Sequence, residues 1–513
     1  MSKWHSFLEY IQFPLKVLFL SIVLLGIGSL IENPNLGLLE LFDSNILVTI
    51  SEALRYIGGF MIELFPLLVF LNLLARKYED SAPVFIGFVS LILITLMMML
   101  LSTGEFPSYY YTNTLGIQIE MSSATELLSR MHSPFNTGII SIVIAYFITS
   151  FAYRRSRHHI RHGMFYFIDH DTWAILITTF LSIIAGVILA YGWPWVIKSM
   201  QLFFDYIADD IYEVGHMFFY GVVERVFALL NLDEIPKSIF WLSEAGGSVL
   251  DANGVAYLGD SGLWSAFMVD ASLVLKTGHF MGAYYIINLS IMPAFILAYY
   301  RLMGKKKSKS KYTMFIFIAL LVSIVSGNPL PIEILMVILS PLLYIFYLIL
   351  VGSAFVIVSI LGSLPGYSVN GALFTAMPGS IIDLIWNMQN PTLFESSVIL
   401  LVSCLFFFML FYIATIFYFK KCTIGFLSMH SAKNIAEKTK EAMGGIENII
   451  SVEATPDKMS VAFKSRDMVD IMQLHDLGAY LILESKDGYT IRMENMNIMI
   501  SDILNKQLKE REG

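Results

Sequence analysis

The sequence predicts an α-helical polytopic membrane protein of about ten spans, with re-entrant broken-helix segments, followed by a small C-terminal cytoplasmic α/β sandwich domain. Three observations carry this. Hydrophobic residues make up 56% of the 513 positions and charged ones 14%, with a mean hydropathy of +0.68, far from the balance of a soluble domain. Charge-poor runs recur at the length needed to cross a hydrocarbon core of roughly 30 Å. After Phe419 the apolar runs give way, within a few residues, to alternating charged and apolar positions.

Taken in order, the clearest spans are Phe13–Ile31, Ala82–Leu101, Gly138–Tyr153, Thr172–Tyr191, Met281–Arg301 and Glu395–Phe419. Less regular runs between them bring the expectation to about ten. The first has a Lys before it and no small-residue cleavage site after it, so an uncleaved first helix is expected. Basic loops favour the cytoplasmic side, which places "YRRSRHHIRH", "GKKKSKSK" and Lys420–Lys421 inside and both termini in the cytoplasm. Only Cys404 and Cys422 are present, so neither a disulfide framework nor a thiolate metal site is expected.

The tail reads as one small domain. "SAKNIAEKTKEAMGG" fits an amphipathic helix with a Ser cap and a Gly stop. "ENIISVEA" and "KMSVAFKS" fit strands, "DMVDIMQLHDLG" a helix, "AYLILES" and "YTIRME" a hairpin across "KDG", and "NIMISDILNKQL" a closing helix. The predicted division is 1–425 for the membrane part and 426–513 for the tail.

Between Trp193 and His279 hydropathy is least informative. The Gly-rich "SEAGGSVLDANGVAYLGDSG" contains Asp251, Asn253 and Asp260, but its spacing misses a calcium loop, and an exposed or gating loop is expected. In "YGVVERVFALLNLDEIP" the adjacent Glu224 and Arg225 point to different helix faces, so each is expected to need its own partner, as an interhelical ion-pair lock or as part of a site. Asp233 and Glu234 follow near a helix end marked by Pro236. In "SGNPLPIE", Ser326 to Glu333, two prolines lack amide donors and Gly327 tolerates unusual dihedrals, so a helix must break inside an apolar run. Such a break survives only where it is buried in protein or lines a wet cavity, which is how transporters build solute sites. Glu333 is expected in the first turn of the next half-helix, where the dipole favours its charge; a plain loop between spans is the alternative. The candidate solute-binding residues are therefore Glu224, Arg225, Asp233, Glu234, Ser326, Gly327, Asn328 and Glu333.

His158, His159 and His162 sit in a basic loop and His170, His216 and His279 stand apart, with no metal-ligand spacing. No Walker loop, dinucleotide fingerprint or nucleophile elbow occurs, so no cofactor, ATP hydrolysis or nucleic-acid partner is expected.

These motifs, in this order, resemble the glucose-superfamily sugar permeases of the bacterial phosphotransferase system, in which a IIC membrane domain precedes a IIB domain. "SGNPLPIE" is similar to S-G-I-T-E-P-I-E, "YGVVERVFALLNLDEI" to Y-G-x-x-E-R-L-L-x-P-x-G-L-H-H-I, and "GGIENIISVEATPDKMSVAF" to G-G-x-x-N-I-x-x-V-x-A-C-x-T-R-L-R-V. The resemblance implies a bacterial cytoplasmic (inner) membrane protein, a homodimer, a sugar-like small polar solute and a phosphotransferase IIA protein docking on the tail. It also marks departures. The family's phosphorylated cysteine is Thr455 here, with Asp457, Lys458 and Ser460 for the following Thr, Arg and Arg; the His-His is Asp233–Glu234, and the T-E-P glutamate is Leu330. A threonine without a base or cradling arginines is a poor nucleophile, so phosphoryl transfer is expected to be impaired or lost and no intact catalytic residue is expected. Three functions stay open: a permease-like solute binder, an ordinary phosphotransferase transporter using a IIB in trans, and a non-transporting sensor or regulator. Enzymatic activity is left open with them.

Overall fold

The computed structural model describes residues 3–42, 45–78, 80–102, 106–112, 133–157, 169–252, 254–274, 276–302, 311–361, 364–369, 373–421, 429–454, 459–485, 488–493 and 497–512. Its larger compact unit holds Leu8–Tyr299 and Ser308–Ile416, and its smaller one is built on Phe417–Gly513.

The first half of the larger unit runs through α1 (Lys3–Glu32), α2 (Leu38–Phe42), α3 (Asn45–Glu63), α4 (Phe65–Tyr78), α5 (Ala82–Leu101), α6 (Ile140–Arg157), α7 (His170–Asp209), α8 (Val214–Leu229) and α9 (Glu234–Leu242). A hairpin of β1 (Ser248–Leu250) and β2 (Ala256–Leu258) follows, then α10 (Gly259–Val269) and α11 (Ala283–Ile286). A π-helical turn, Ile287–Ile291, leads into α12 (Met292–Leu302). The unit closes with α13 (Lys311–Ser326), α14 (Leu330–Leu339), α15 (Pro341–Ile360), α16 (Ile381–Asn387) and α17 (Pro391–Lys421).

Among the described residues six helices are long and apolar enough to cross a membrane, or seven if the pair α3–α4, bent by 50°, is one span. This is an integral membrane protein. Five of the six clearest expected spans are among these helices, and the sixth helix, Pro341–Ile360, comes from the less regular runs. The segment expected at Gly138–Tyr153 is helix α6, whose end carries Arg154, Arg155 and Arg157. The expected count of about ten is not reached among the described residues, where the shorter apolar helix is Phe317–Ser326.

One expectation needs correction. The Gly-rich stretch is no open loop: β1 and β2 pair antiparallel and Gly259 opens α10. Its Asp260 is fully buried and its carboxylate accepts backbone N–H bonds from His279 (3.1 Å), Phe280 (2.8 Å) and Met281 (3.1 Å), fixing the start of α11. Asn253, which belonged to the calcium-like spacing, lies outside the described residues, as do His158, His159 and His162.

α8 lies along α15 because its glycine admits a ring. A Cβ on Gly221 would sit 2.3 Å from Phe355 Cδ2, so only glycine lets the helices approach this closely. Beside it the buried Tyr220 ring packs edge-on against Phe240, Phe280 and Phe355, with centroids 4.8–5.3 Å away.

The smaller unit follows the expected order: α18 (Met429–Ala442), β3 (Ile449–Ala454), β4 (Met459–Phe463), α19 (Ile471–Asp476), β5 (Ala479–Ser485), β6 (Gly488–Met493) and α20 (Asn497–Glu512). The sheet order is β3-β4-β6-β5, antiparallel throughout, and its core includes Met443, Ile449, Met459, Leu474, Ile491 and Leu504. The expected Ser cap is misplaced: α18 begins at Met429, so Ser431 is inside it. The stop is as expected, since Gly444 and Gly445 both take φ +84. Asn448 then clips the turn to the sheet, donating to Met443 O (2.8 Å) and Ser465 O (2.9 Å) and accepting from Ser465 N (2.9 Å). Thr455, Asp457 and Lys458 lie outside the described residues; Ser460 pairs with Glu453 and Thr490 within the sheet.

Candidate functional site

Glu224 and Arg225 leave α8 into the protein interior, 0% and 3% exposed. Their adjacency does not separate them as expected. The arginine is long enough to fold back, so its Nε donates to Glu224 Oε2 at 2.5 Å and its Nη2 to Glu224 Oε1. The same guanidinium reaches Tyr284 Oη at 2.5 Å and, through Nη1, Glu333 Oε1 at 3.3 Å. Tyr284 Oη donates to Glu224 Oε1 at 2.6 Å, Tyr347 Oη donates to Glu333 Oε1, and Tyr344 Oη donates to Arg225 O at 3.2 Å. One cation thus ties α8, α11 and α14 together, while the α15 tyrosines donate to Glu333 Oε1 and to the backbone carbonyl of Arg225. This is the interhelical lock: one guanidinium serves two buried carboxylates, and Glu333 Oε2 has no hydrogen-bond partner among the described residues.

The break in "SGNPLPIE" is where the sequence put it. α13 ends at Ser326, Gly327 takes φ +82, and α14 starts at Leu330 with Glu333 in its first turn. A Cβ on Gly327 would lie 2.5 Å from Pro378 O, so both the dihedral and the space demand glycine. The carbonyls freed by the break are met by side chains. Ser380 Oγ donates to Val325 O at 2.7 Å, and Asn288 Nδ2 donates to Gly327 O at 3.0 Å while Ser323 Oγ holds its Oδ1 at 3.1 Å. Asn328 Oδ1 accepts from Leu330 N at 3.0 Å and so starts the half-helix.

Beside the break opens a cavity of about 220 Å³. The end of α1 and the turn after it supply Glu32, Asn33 and Asn35; α3 supplies Arg55; α16 supplies Asp383 and Asn387; Ser326 and Ser380 lie at the break. Trp264 and Tyr367 add aromatic surface. Arg55 Nη1 pairs with Glu32 Oε2, and its Nη2 donates to Thr375 Oγ1 at 2.9 Å. Asp383 Oδ1 accepts from Asn33 Nδ2 (2.8 Å) and Asn35 Nδ2 (2.9 Å). Carboxylates, amides and hydroxyls beside aromatic side chains suit a polyhydroxylated ligand, which offers donors and acceptors together with an apolar C–H face.

Of the eight candidate residues, Ser326 alone lines this cavity among the described residues. Glu224, Arg225 and Glu333 meet in the interhelical lock instead. Gly327 and Asn328 shape the break. Asp233 pairs with Lys237 one turn on, at the start of α9, where Glu234 is the first residue. The sequence reading missed Asn33, Asn35, Arg55 and Asp383, although "ENPN" at a span end and a lone Arg in the apolar Asn45–Glu63 run were visible signals.

No family model matches the chain. The comparison with curated proteins finds the PTS system glucoside-specific EIICBA component of Staphylococcus carnosus (strain TM300), 23% identical over 318 residues, which cover 60% of this chain. The chain spans 44% of that relative's length. Among solved structures, the transporter ChbC, the IIC component from the N,N'-diacetylchitobiose-specific phosphotransferase system, covers 81% of this chain and 95% of its own at 14% identity, with a TM-score of 0.31, too low to carry an argument. The resemblance read from the motifs is borne out at the level of sequence: this chain is similar to a phosphotransferase-system component of the EIICBA type.

Proposed function

We propose that this chain is a IIC–IIB-like membrane protein of the phosphotransferase type that binds or transports a sugar or a similar small polar solute, with phosphoryl transfer impaired or lost. The observation that carries the reading is the polar cavity against the α13–α14 break, with Trp264 and Tyr367 among its lining residues. Ser326 and the α16 side chains bind the solute, Gly327 and Asn328 shape the wall, and the Glu224–Arg225–Glu333 lock holds the half-helix in place. The named specificity of the similar EIICBA component for glucosides points the same way. Residues 426–513 act as the IIB-like cytoplasmic domain and a docking surface for a IIA-like protein. The protein works as a homodimer in a bacterial cytoplasmic membrane, with both termini inside.

The test is a thermal-shift screen of detergent-purified protein against sugars, amino sugars, polyols and sugar phosphates. A ligand at about 100 times its dissociation constant adds roughly 2.7 kcal/mol of apparent stability, so a saturable shift with one sugar class is expected. No shift across the panel, from protein shown to be folded, overturns the reading. Thr455→Ala is expected to leave solute uptake unchanged in cells, because a threonine lacks the thiolate a phosphocarrier needs. Lost uptake with normal protein levels would restore phosphoryl transfer to the mechanism.

A further inference from the structure

Resting on the sugar-site reading, we propose that the cavity selects a hydroxylated solute carrying a protonated amine, an amino sugar, and that Asp383 is the residue that reads the amine. The charges on its wall do not balance. Glu32 and Arg55 neutralise each other as an ion pair, which leaves the Asp383 carboxylate as a net negative charge among the described lining residues.

Asp383 is 9% exposed, and its two partners, the amides of Asn33 and Asn35, both bind Oδ1. Neither partner is charged, and no hydrogen bond reaches Oδ2 among the described residues. Glu32 Oε1 is a buried carboxylate oxygen of another lining residue with no partner among the described residues. The cavity therefore has acceptors to spare and one charge to compensate.

A neutral hexose supplies hydroxyl donors but no charge. An ammonium group supplies three donors and no acceptor, makes a charge-assisted bond to a carboxylate, and removes the cost of leaving that carboxylate buried without a counter-charge. Trp264 and Tyr367 lie on the same wall and add apolar surface that a cationic and a neutral sugar can share. Acidic or phosphorylated sugars add negative charge where negative charge is already in excess, so they are disfavoured.

The test is isothermal titration calorimetry on the full chain in detergent at about pH 6, where the amine is protonated, with D-glucosamine, D-glucose and N-acetyl-D-glucosamine. Glucosamine is expected to bind about tenfold more tightly than glucose, and N-acetylation is expected to abolish the advantage by removing the charge while keeping the ring. In Asp383→Asn, which retains an oxygen for the two amides, the preference for glucosamine over glucose is expected to collapse. Equal binding of glucosamine and glucose, an advantage that survives N-acetylation, or a preference retained in Asp383→Asn overturns the inference and leaves the sugar-site reading standing. Failure of all three sugars to bind folded wild-type protein overturns both. The N-acetyl comparison needs no variant and decides the matter even if Asp383→Asn does not fold.

Discussion

Arg225→Met is expected to cost about 3–5 kcal/mol of stability, the range for removing one partner of a buried ion pair. The variant keeps the apolar stem of the side chain and deletes the guanidinium with its charge and donors. Glu224 and Glu333 are then two fully buried carboxylates facing tyrosine hydroxyls, with no cation between them. The loss is read from thermal or denaturant-induced unfolding of the purified protein in detergent. Neutralising the acids in the same background, as Glu224→Gln with Glu333→Gln, is expected to recover much of the loss, because the uncompensated charge is the larger part of the cost. A variant as stable as the wild type would mean that the lock contributes nothing net.

The second large effect is expected at Asp260. Asp260→Ala removes the acceptor for three consecutive buried amides, His279 to Met281, and each orphaned donor costs about 1–3 kcal/mol. A loss of roughly 3 kcal/mol or more follows, together with faster amide hydrogen exchange through residues 279–286. Asp260→Asn keeps one oxygen in place and is expected to fall between the two. Equal exchange in all three proteins would remove Asp260 from its role at the start of α11.

How far these features could be read beforehand depended on whether their cause was local. The α13–α14 break was legible because Gly327, Pro329 and Pro331 act on their own backbone. The strands and helices of the tail were legible from alternation and from Gly444–Gly445. Side-chain partnership was not. Adjacent Glu224 and Arg225 suggested separate partners, and only the course of the arginine side chain in a packed interior returns it to its neighbour. The cavity wall was hidden for a related reason: Asn33 and Asp383 are 350 residues apart and meet through tertiary packing. Asp260 looked like part of an exposed loop because its partners are backbone amides, which leave no trace in the sequence.

The π-helical turn at Ile287–Ile291 absorbs one residue without disturbing the helix after it. Within this turn Asn288 faces the break, while Ser290 Oγ donates to Cys404 O at 2.6 Å on α17, so two polar side chains two residues apart serve different neighbours. Such a turn holds one residue more than an α-helix of the same rise, so α12 keeps the phase of an unbroken helix and Phe295 and Tyr299 stay on its buried face. Deleting Asn288 would restore ordinary winding and leave α12 in phase, at the cost of the amide on Gly327 O. Deleting one residue from the regular turns of α12 would instead rotate all that follows by about 100°. The wide turn is therefore the one place in this helix where the residue count can change without a change of phase.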